Sequence, residues 1–417
     1  MITRASNTTL AVPLPAAAPP GLRASSAVRS GERVFLSAGH PIADDGTVIG
    51  PGDPTRQTHA ALDRIERALA EVGGNLSHLT KLTTCIVDRD YRAACYRVIQ
   101  ERLGSLHPVS TGLVVAGLPR AEMIVQIDAE AAIPSRPAQV VRPYRFDSWH
   151  GQGFPWRGAM VIATDDEFFV RGQTGSPLDH SGTAATGRSP ADAAAQVDLA
   201  MTNLATLLRE AGSGVEDICK ITVYIGDRAY RTAAYPVIGR HLAGVRPVST
   251  GIITQAFARP EILFEIDVVA LRKVGGQPHQ RLLPYSSNIA RYGTQAQALD
   301  CEFCMAAVAG DRVILRGQTG IDLQHRMHGA GDAGAQAVQA MINVDQLLAE
   351  AGCTMNDVTK ATVYVTDRDY LPEVSRRVLE RLSGTGAAFT AVIVRGLASP
   401  ELLMEVDIQA VRGGGTR

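Results

Sequence analysis

The chain has 417 residues, 45% of them apolar and 20% charged, and its 41 basic and 42 acidic residues leave a net charge of −1. This is the composition of ordinary globular protein, with room for about two to four domains. The neutral balance offers no electrostatic footprint for nucleic acid or an anionic membrane, and no apolar run nears the ~20 residues of a spanning helix.

The N-terminal stretch MITRASNTTLAVPLPAAAPPG is interrupted by Pro13 and Pro15, and it reads as a flexible arm over 1–21 rather than a signal peptide. A strand running into a tight turn follows, RVFLSAGHP from Arg33. Leu62, Ile65, Leu69 and Val72 then mark one face of a helix that stops at Gly73. The strand TTCIVDRDY follows, with Asp88 positioned to cap a second helix that carries Tyr91, Val98, Ile99 and Leu103. Two more strands close the unit: Ser110 to Gly117, and the alternating MIVQIDAEA from Met123. The implied order is ββ-α-β-α-ββ.

The same order occurs twice more. EFFVRGQTG from Glu167 and RVILRGQTG from Arg312 match the opening strand, and helices with one apolar face stop at Gly212 and Gly352. ITVYIGDRAY and ATVYVTDRDY repeat the central strand, while ILFEIDVVA and LLMEVDIQA repeat the last. Asp88, Asp227 and Asp367 recur at intervals of 139 and 140 residues, as do Asp128, Asp267 and Asp407. Such a period is too long for a solenoid unit and long enough for a domain. The chain is therefore expected to hold three α+β domains, over 22–137, 145–273 and 283–413, each a mixed sheet with two helices on one face. Three such sheets can cover one another's bare faces around a pseudo-threefold axis, forming a pseudotrimer within one chain.

The cysteines (Cys85, Cys95, Cys219, Cys301, Cys304 and Cys353) do not recur in register, so no repeated disulfide framework is expected. Cys301 and Cys304 form a lone CxxC, read as chance or a redox-inert surface pair rather than zinc or thioredoxin-like chemistry. The ten histidines show no metal-ligand spacing. No metal or other cofactor is expected, and the location is expected to be cytoplasmic.

The GQTG turns, K-x-T-V-Y-V-x-D, and P-V-S-T-G followed by E-I-D-x-x-A, seen in order through the copies, resemble the RidA/YjgF (Rid, endoribonuclease L-PSP-like) family. The resemblance implies a chorismate-mutase-like fold, with small-molecule sites in clefts between neighbouring units. It also implies hydrolysis of reactive enamines and imines to ketoacids and ammonia. Deaminating members carry an arginine that clamps the substrate carboxylate as a bidentate fork. Here that position holds Ser110, Ser249 and Phe389, so the chain resembles the branches that lack this arginine. The family's last-strand glutamate corresponds to Glu265 and Glu405, with Gln126 in the first copy.

The cleft residues expected from this resemblance are unequal among the copies. Glu265 and Glu405 are the candidate catalytic residues, orienting or deprotonating water. Arg171 and Arg316 precede the GQTG turns, where the first copy has Ala38, and can supply the missing positive charge. The N–H groups of Gly172 and Gly317 add an anion nest beside Gln173 and Gln318. Ser110, Thr111, Ser249, Thr250 and Thr390 stand where the family binds substrate. His40 replaces the turn glutamine. Asp128, Asp267 and Asp407, and the D-R-x-Y turns, read as structural. Trp149, Trp156, Tyr285 and Tyr292 read as aromatic lids or as straps between copies.

The leading expectation is a Rid-like hydrolase or deaminase acting on a small carboxylated imine, enamine or related C–N compound. Its rivals are a non-catalytic metabolite binder and a different hydrolase or lyase on the same scaffold. Nucleic-acid and membrane partners are not expected, and further self-association of pseudotrimers is left open.

Overall fold

The computed structural model describes residues 2–4, 22–135, 142–144, 158–178, 187–286 and 299–413. The first repeat contains β1 (Ala27–Ser30), β2 (Arg33–Leu36), α1 (Pro54–Glu71), β3 (Leu79–Ile86), α2 (Arg92–Leu103), β4 (Val109–Val114) and β5 (Val125–Ala132). The second contains β6 (Val161–Ala163), β7 (Glu167–Val170), α3 (Pro190–Glu210), β8 (Ile218–Ile225), α4 (Arg231–His241), β9 (Val248–Ile253) and β10 (Phe264–Leu271). The third contains β11 (Gln280–Ser286), β12 (Glu302–Ala309), β13 (Arg312–Leu315), α5 (Ala333–Glu350), β14 (Val358–Val365), α6 (Leu371–Arg381), β15 (Ala388–Ile393) and β16 (Met404–Val411). The expected α+β order is thus present three times.

Local chemistry explains the long helices. Asp53, Ser189 and Asp332 each accept a backbone N–H at the start of α1, α3 and α5, and Ser189 and Asp192 form a reciprocal capping box. The stops at Gly73, Gly212 and Gly352 require a left-handed backbone, with φ of +79°, +81° and +69°. Asp88, Asp227 and Asp367 cap a short 3₁₀ turn that leads into α2, α4 and α6 rather than the helices themselves.

In the third sheet the order is β11-β12-β13-β16-β14-β15, and the other two repeat the arrangement of its last four strands. β3, β8 and β14 pair parallel with β4, β9 and β15, and antiparallel with β5, β10 and β16. Register therefore sets Thr83 between Thr111 and Asp128, Thr222 between Thr250 and Asp267, and Thr362 between Thr390 and Asp407. A register shift just before Lys81, Lys220 and Lys360 marks a β-bulge in each central strand.

Each helix pair buries one sheet face. The opposite faces meet in a shared apolar core that includes Leu113, Ile252 and Val392, with Cys85 of the first repeat where the others place Tyr224 and Tyr364. The repeats close into a ring through buried ion pairs. Lys81 binds Asp267, Lys220 binds Asp407, and Lys360 binds Asp128. The partners of the recurring aspartates across each seam are lysines, where a neighbour's arginine was the expectation. The D-R-x-Y arginines cross the same seams: Arg89 donates to the Phe257 carbonyl, Arg228 to that of Leu397, and Arg368 to that of Leu118. The ring is not symmetric. Where the outer repeats carry Arg33 and Arg312, the middle one carries buried Glu167, which pairs with both.

Two expectations need correction. Within the segment read as an arm, Ile2–Arg4 is a strand paired with β1, and Arg4 donates to the Asn356 carbonyl at 3.2 Å. Cys301 and Cys304 are buried rather than at the surface, and burial pushes both thiols up to about 12.

Candidate functional site: two clefts between repeats

The seams bring α2 and β4 of the first repeat against β10 and the Arg171–Gly175 turn of the second. The Gly172 α-carbon faces the Glu265 carboxylate and the Thr111 hydroxyl so closely that a β-carbon there would collide with both. The second seam repeats this with Gly317, Glu405 and Thr250. Glycine at this turn is what lets the glutamate of one strand lie against the turn of its own sheet and the threonine of the next.

Glu265 and Glu405 are buried, 6% and 5% exposed. Burial, reinforced by neighbouring Asp267, pushes the Glu265 carboxyl up to about 8, against the pull of Arg171 and Arg92. Burial with Asp407 raises Glu405 to about 8, against Arg316, Lys220 and Arg231. Both carboxyls are therefore mostly protonated near neutral pH. Burial lowers the Arg171 guanidinium to about 10 and also lowers Arg92.

Arg92 and Arg231 were not among the sequence-derived site residues. They open α2 and α4 and bring a second arginine to each cleft. The Arg92 guanidinium lies 5.0 Å from the Tyr96 ring centroid, and that of Arg231 lies 4.6 Å from the Tyr235 centroid. Arg231 donates to the Tyr235 hydroxyl at 3.3 Å, and the Tyr96 hydroxyl is 3.3 Å from Ser110 Oγ. The space comes from Gly112 and Gly251: a β-carbon would lie 2.5 Å from the Tyr96 hydroxyl in one case and 2.9 Å from the Arg231 guanidinium in the other. These glycines stand two residues after the serines that replace the family arginine, so the strand makes room for an arginine from a helix. The visible signal was an R-x-x-x-Y pair, Arg92 with Tyr96 and Arg231 with Tyr235, which the third repeat replaces with Leu371 and Ser375.

The remaining candidates divide. Gln173 and Gln318 are buried and donate to the carbonyls of Arg171 and Arg316 at 2.6 and 2.7 Å, so they brace the turns. Thr111, Thr250 and Thr390 donate to Asp267, Asp407 and Asp128, which ties them to the seams. The Ser249 carbonyl accepts the Gly317 N–H at 3.4 Å. Trp149, Trp156 and Tyr292 lie outside the described residues.

The third seam keeps the threonine–aspartate contact and differs at the turn, the last strand and the helix. Register places Gly39, not His40, opposite Ile127 as Gln173 is opposite Ile266 and Gln318 opposite Val406. The first-repeat counterpart of Arg171 is therefore Ser37, and Ala38 takes the place of Gly172. Ser37 accepts the Phe389 N–H at 2.8 Å. Gln126 turns its amide to the Ala391 carbonyl at 3.1 Å. Leu371 and Ser375 stand in place of the arginine and tyrosine. Among the described residues, this seam brings together no arginine, tyrosine and carboxylate of the kind found in the other two.

Comparison with known proteins accords with this architecture. The sequence profile described as endoribonuclease L-PSP matches three times, at residues 16–133, 158–272 and 295–412. An uncharacterized protein of Streptomyces coelicolor is 31% identical over 105 residues, 25% of this chain and 78% of that protein. A RutC family protein of Pyrococcus abyssi is 27% identical over 107 residues, 26% of this chain and 84% of that protein. A crystal structure of a chorismatase superposes with a TM-score of 0.53 at 17% identity, covering 80% of this chain and 93% of that one, a likeness of fold.

Proposed function

The chain belongs to the endoribonuclease L-PSP (RidA/YjgF) family three times over, and from that premise we propose that it hydrolyses a small carboxylated imine or enamine at two of its three seams. The observation that carries this reading is a carboxyl raised to about 8 beside arginines from two repeats. The arginine pair, Arg92 with Arg171 or Arg231 with Arg316, holds the substrate carboxylate. The protonated Glu265 or Glu405 gives its proton to the imine nitrogen while water adds to the carbon. The carboxylate so formed takes a proton from that water, and the carbinolamine collapses to a ketone and ammonia. Tyr96 or Tyr235 supplies a hydroxyl beside the arginine. The Rid family arginine is missing from its usual strand, and the helix-borne Arg92 and Arg231 restore its charge from another element.

A second reading is favoured by the charge of the clefts. Two guanidiniums beside a neutral carboxyl suit a vinyl ether with two carboxylates: the same proton goes to the terminal vinyl carbon, water adds to the oxocarbenium carbon and returns a proton to the glutamate, and the hemiketal collapses to a 2-oxo acid and an alcohol. The two readings share their residues and differ in what is released.

The deciding assay is ammonia release from freshly generated 2-aminoacrylate and a panel of other carboxylated imines. We expect turnover that falls by 10²-fold or more, the order typical of a lost proton donor, in the double variant Glu265→Gln, Glu405→Gln. Absence of turnover by the unaltered chain across the panel would sink the deaminase reading.

A further inference from the structure

Away from the clefts, a chamber of ≈ 90 Å³ is lined by Lys81, Lys220 and Lys360 with Thr83, Thr222 and Thr362. Equivalent positions of all three repeats meet there, so it lies on the pseudo-threefold axis. A smaller cavity of ≈ 30 Å³ adjoins it, shares Tyr224 and Tyr364 with it, and reaches Cys85. Pairing opposite Gln126, Glu265 and Glu405 sets Cys85, Tyr224 and Tyr364 at one position of their repeats. A cysteine in place of a third tyrosine leaves room on the axis. The hydrolytic chemistry of the clefts uses neither space.

The carboxylates of the chamber are already engaged. Asp267 accepts from Lys81 and Thr111, Asp407 from Lys220 and Thr250, Asp128 from Lys360 and Thr390, and Glu130 from Arg33. Donors remain. An ammonium carries three N–H groups and accepts nothing. Lys81 and Lys360 each meet one carboxylate and one carbonyl, of Val170 and Leu36, which leaves one N–H on each. Lys220 has Asp407 as its one acceptor among the described residues, which leaves two. The Tyr224 and Tyr364 hydroxyls have no hydrogen-bond partner among the described residues, although the two side chains line the chamber and are only 5% and 9% exposed. Buried donors without an acceptor are costly.

We propose that the axial chamber binds a small inorganic monovalent anion such as a halide, which accepts from the lysines and the two tyrosines and ties the three sheets together. A cation would meet three ammoniums and engaged carboxylates. Apart from the tyrosine rings, only Val268 and Val269 in the wall are apolar, so the chamber offers little to the carbon body of an organic acid. Its volume exceeds the ~10–15 Å³ that a single water requires. The site is thus separate in place and in ligand from the clefts.

Bromide is the probe that tests it. In crystals of the full chain soaked in bromide, anomalous diffraction should place the ion in the chamber, in contact with Lys220 and the two tyrosines. In solution, bromide should raise the melting temperature above that in a bulky sulfonate salt of equal ionic strength, since a ligand of the folded state alone stabilises it. Tyr224→Phe with Tyr364→Phe keeps every lysine–aspartate pair. It should weaken bromide binding by at least about tenfold, the loss expected when two hydrogen bonds to a charged ligand are removed. Water alone in the bromide-soaked chamber, or an unchanged bromide dependence in the double variant, overturns the site.

Discussion

A glutamate raised to about 8 is costly to ionise, and the cost appears in folding as well as in chemistry. Glu265 and Glu405 hold their protons more tightly in the folded chain than at their ordinary value of 4.5. Their contribution to stability is fully present below about 4.5 and is lost as pH rises through 8, because over that interval the folded state binds more protons than the unfolded one. The melting temperature should therefore fall from pH 5 to pH 9, and the fall should be shallower in Glu265→Gln, Glu405→Gln. Equal slopes would place the raised values in doubt. At this scale the sequence was partly legible. Glu265, Glu405, Arg171 and Arg316 could be found by aligning repeats with one another and with a family. Arg92 and Arg231 sit on helices that the family motifs do not mark, and their one signal was the R-x-x-x-Y pair that two of the repeats share. The one-residue slip that set Ala38 against Arg171 has a simple cause: Gly39 looks like the glycine of GQTG, whereas β-pairing puts it in the glutamine's place.

Among the elements, the central strands β3, β8 and β14 do most to hold the clefts together. Each presents, after a bulge, a lysine that reaches the aspartate of the next repeat. Lys81, Lys220 and Lys360 are 7%, 4% and 4% exposed. Removing one member of such a pair leaves the other charge buried, at a cost of roughly 3–5 kcal/mol. Lys81→Ala should destabilise the chain by about that amount in urea unfolding, and Lys81→Met with Asp267→Leu should recover most of it. A Lys81→Ala effect below about 1 kcal/mol would mean that the pair is not desolvated as these burials require. The strand and helix order was legible from apolar spacing and from the glycine stops. The partner of the recurring aspartates was not, since nothing in a strand's own pattern says which neighbouring charge it will meet.

The whole molecule gains from fusion a freedom that three identical subunits lack. Glu167 can sit between Arg33 and Arg312 only because the middle repeat differs from its neighbours. The third seam carries Ala38, Gln126, Leu371 and Phe389 where the other two carry glycine, glutamate, arginine and serine. The repeat was legible at once, and so was the weakness of the first copy. The pairing of that copy's turn with the third copy's β15 was not legible, because closure of the ring is a property of all three sheets together. The central claim is that two seams bind substrate and one does not. Calorimetric titration of the full chain with a 2-oxo acid tests it most directly. Two sites per chain are expected, one after either Arg171→Ala or Arg316→Ala, and none after both. Three sites, or a stoichiometry indifferent to these arginines, would contradict it.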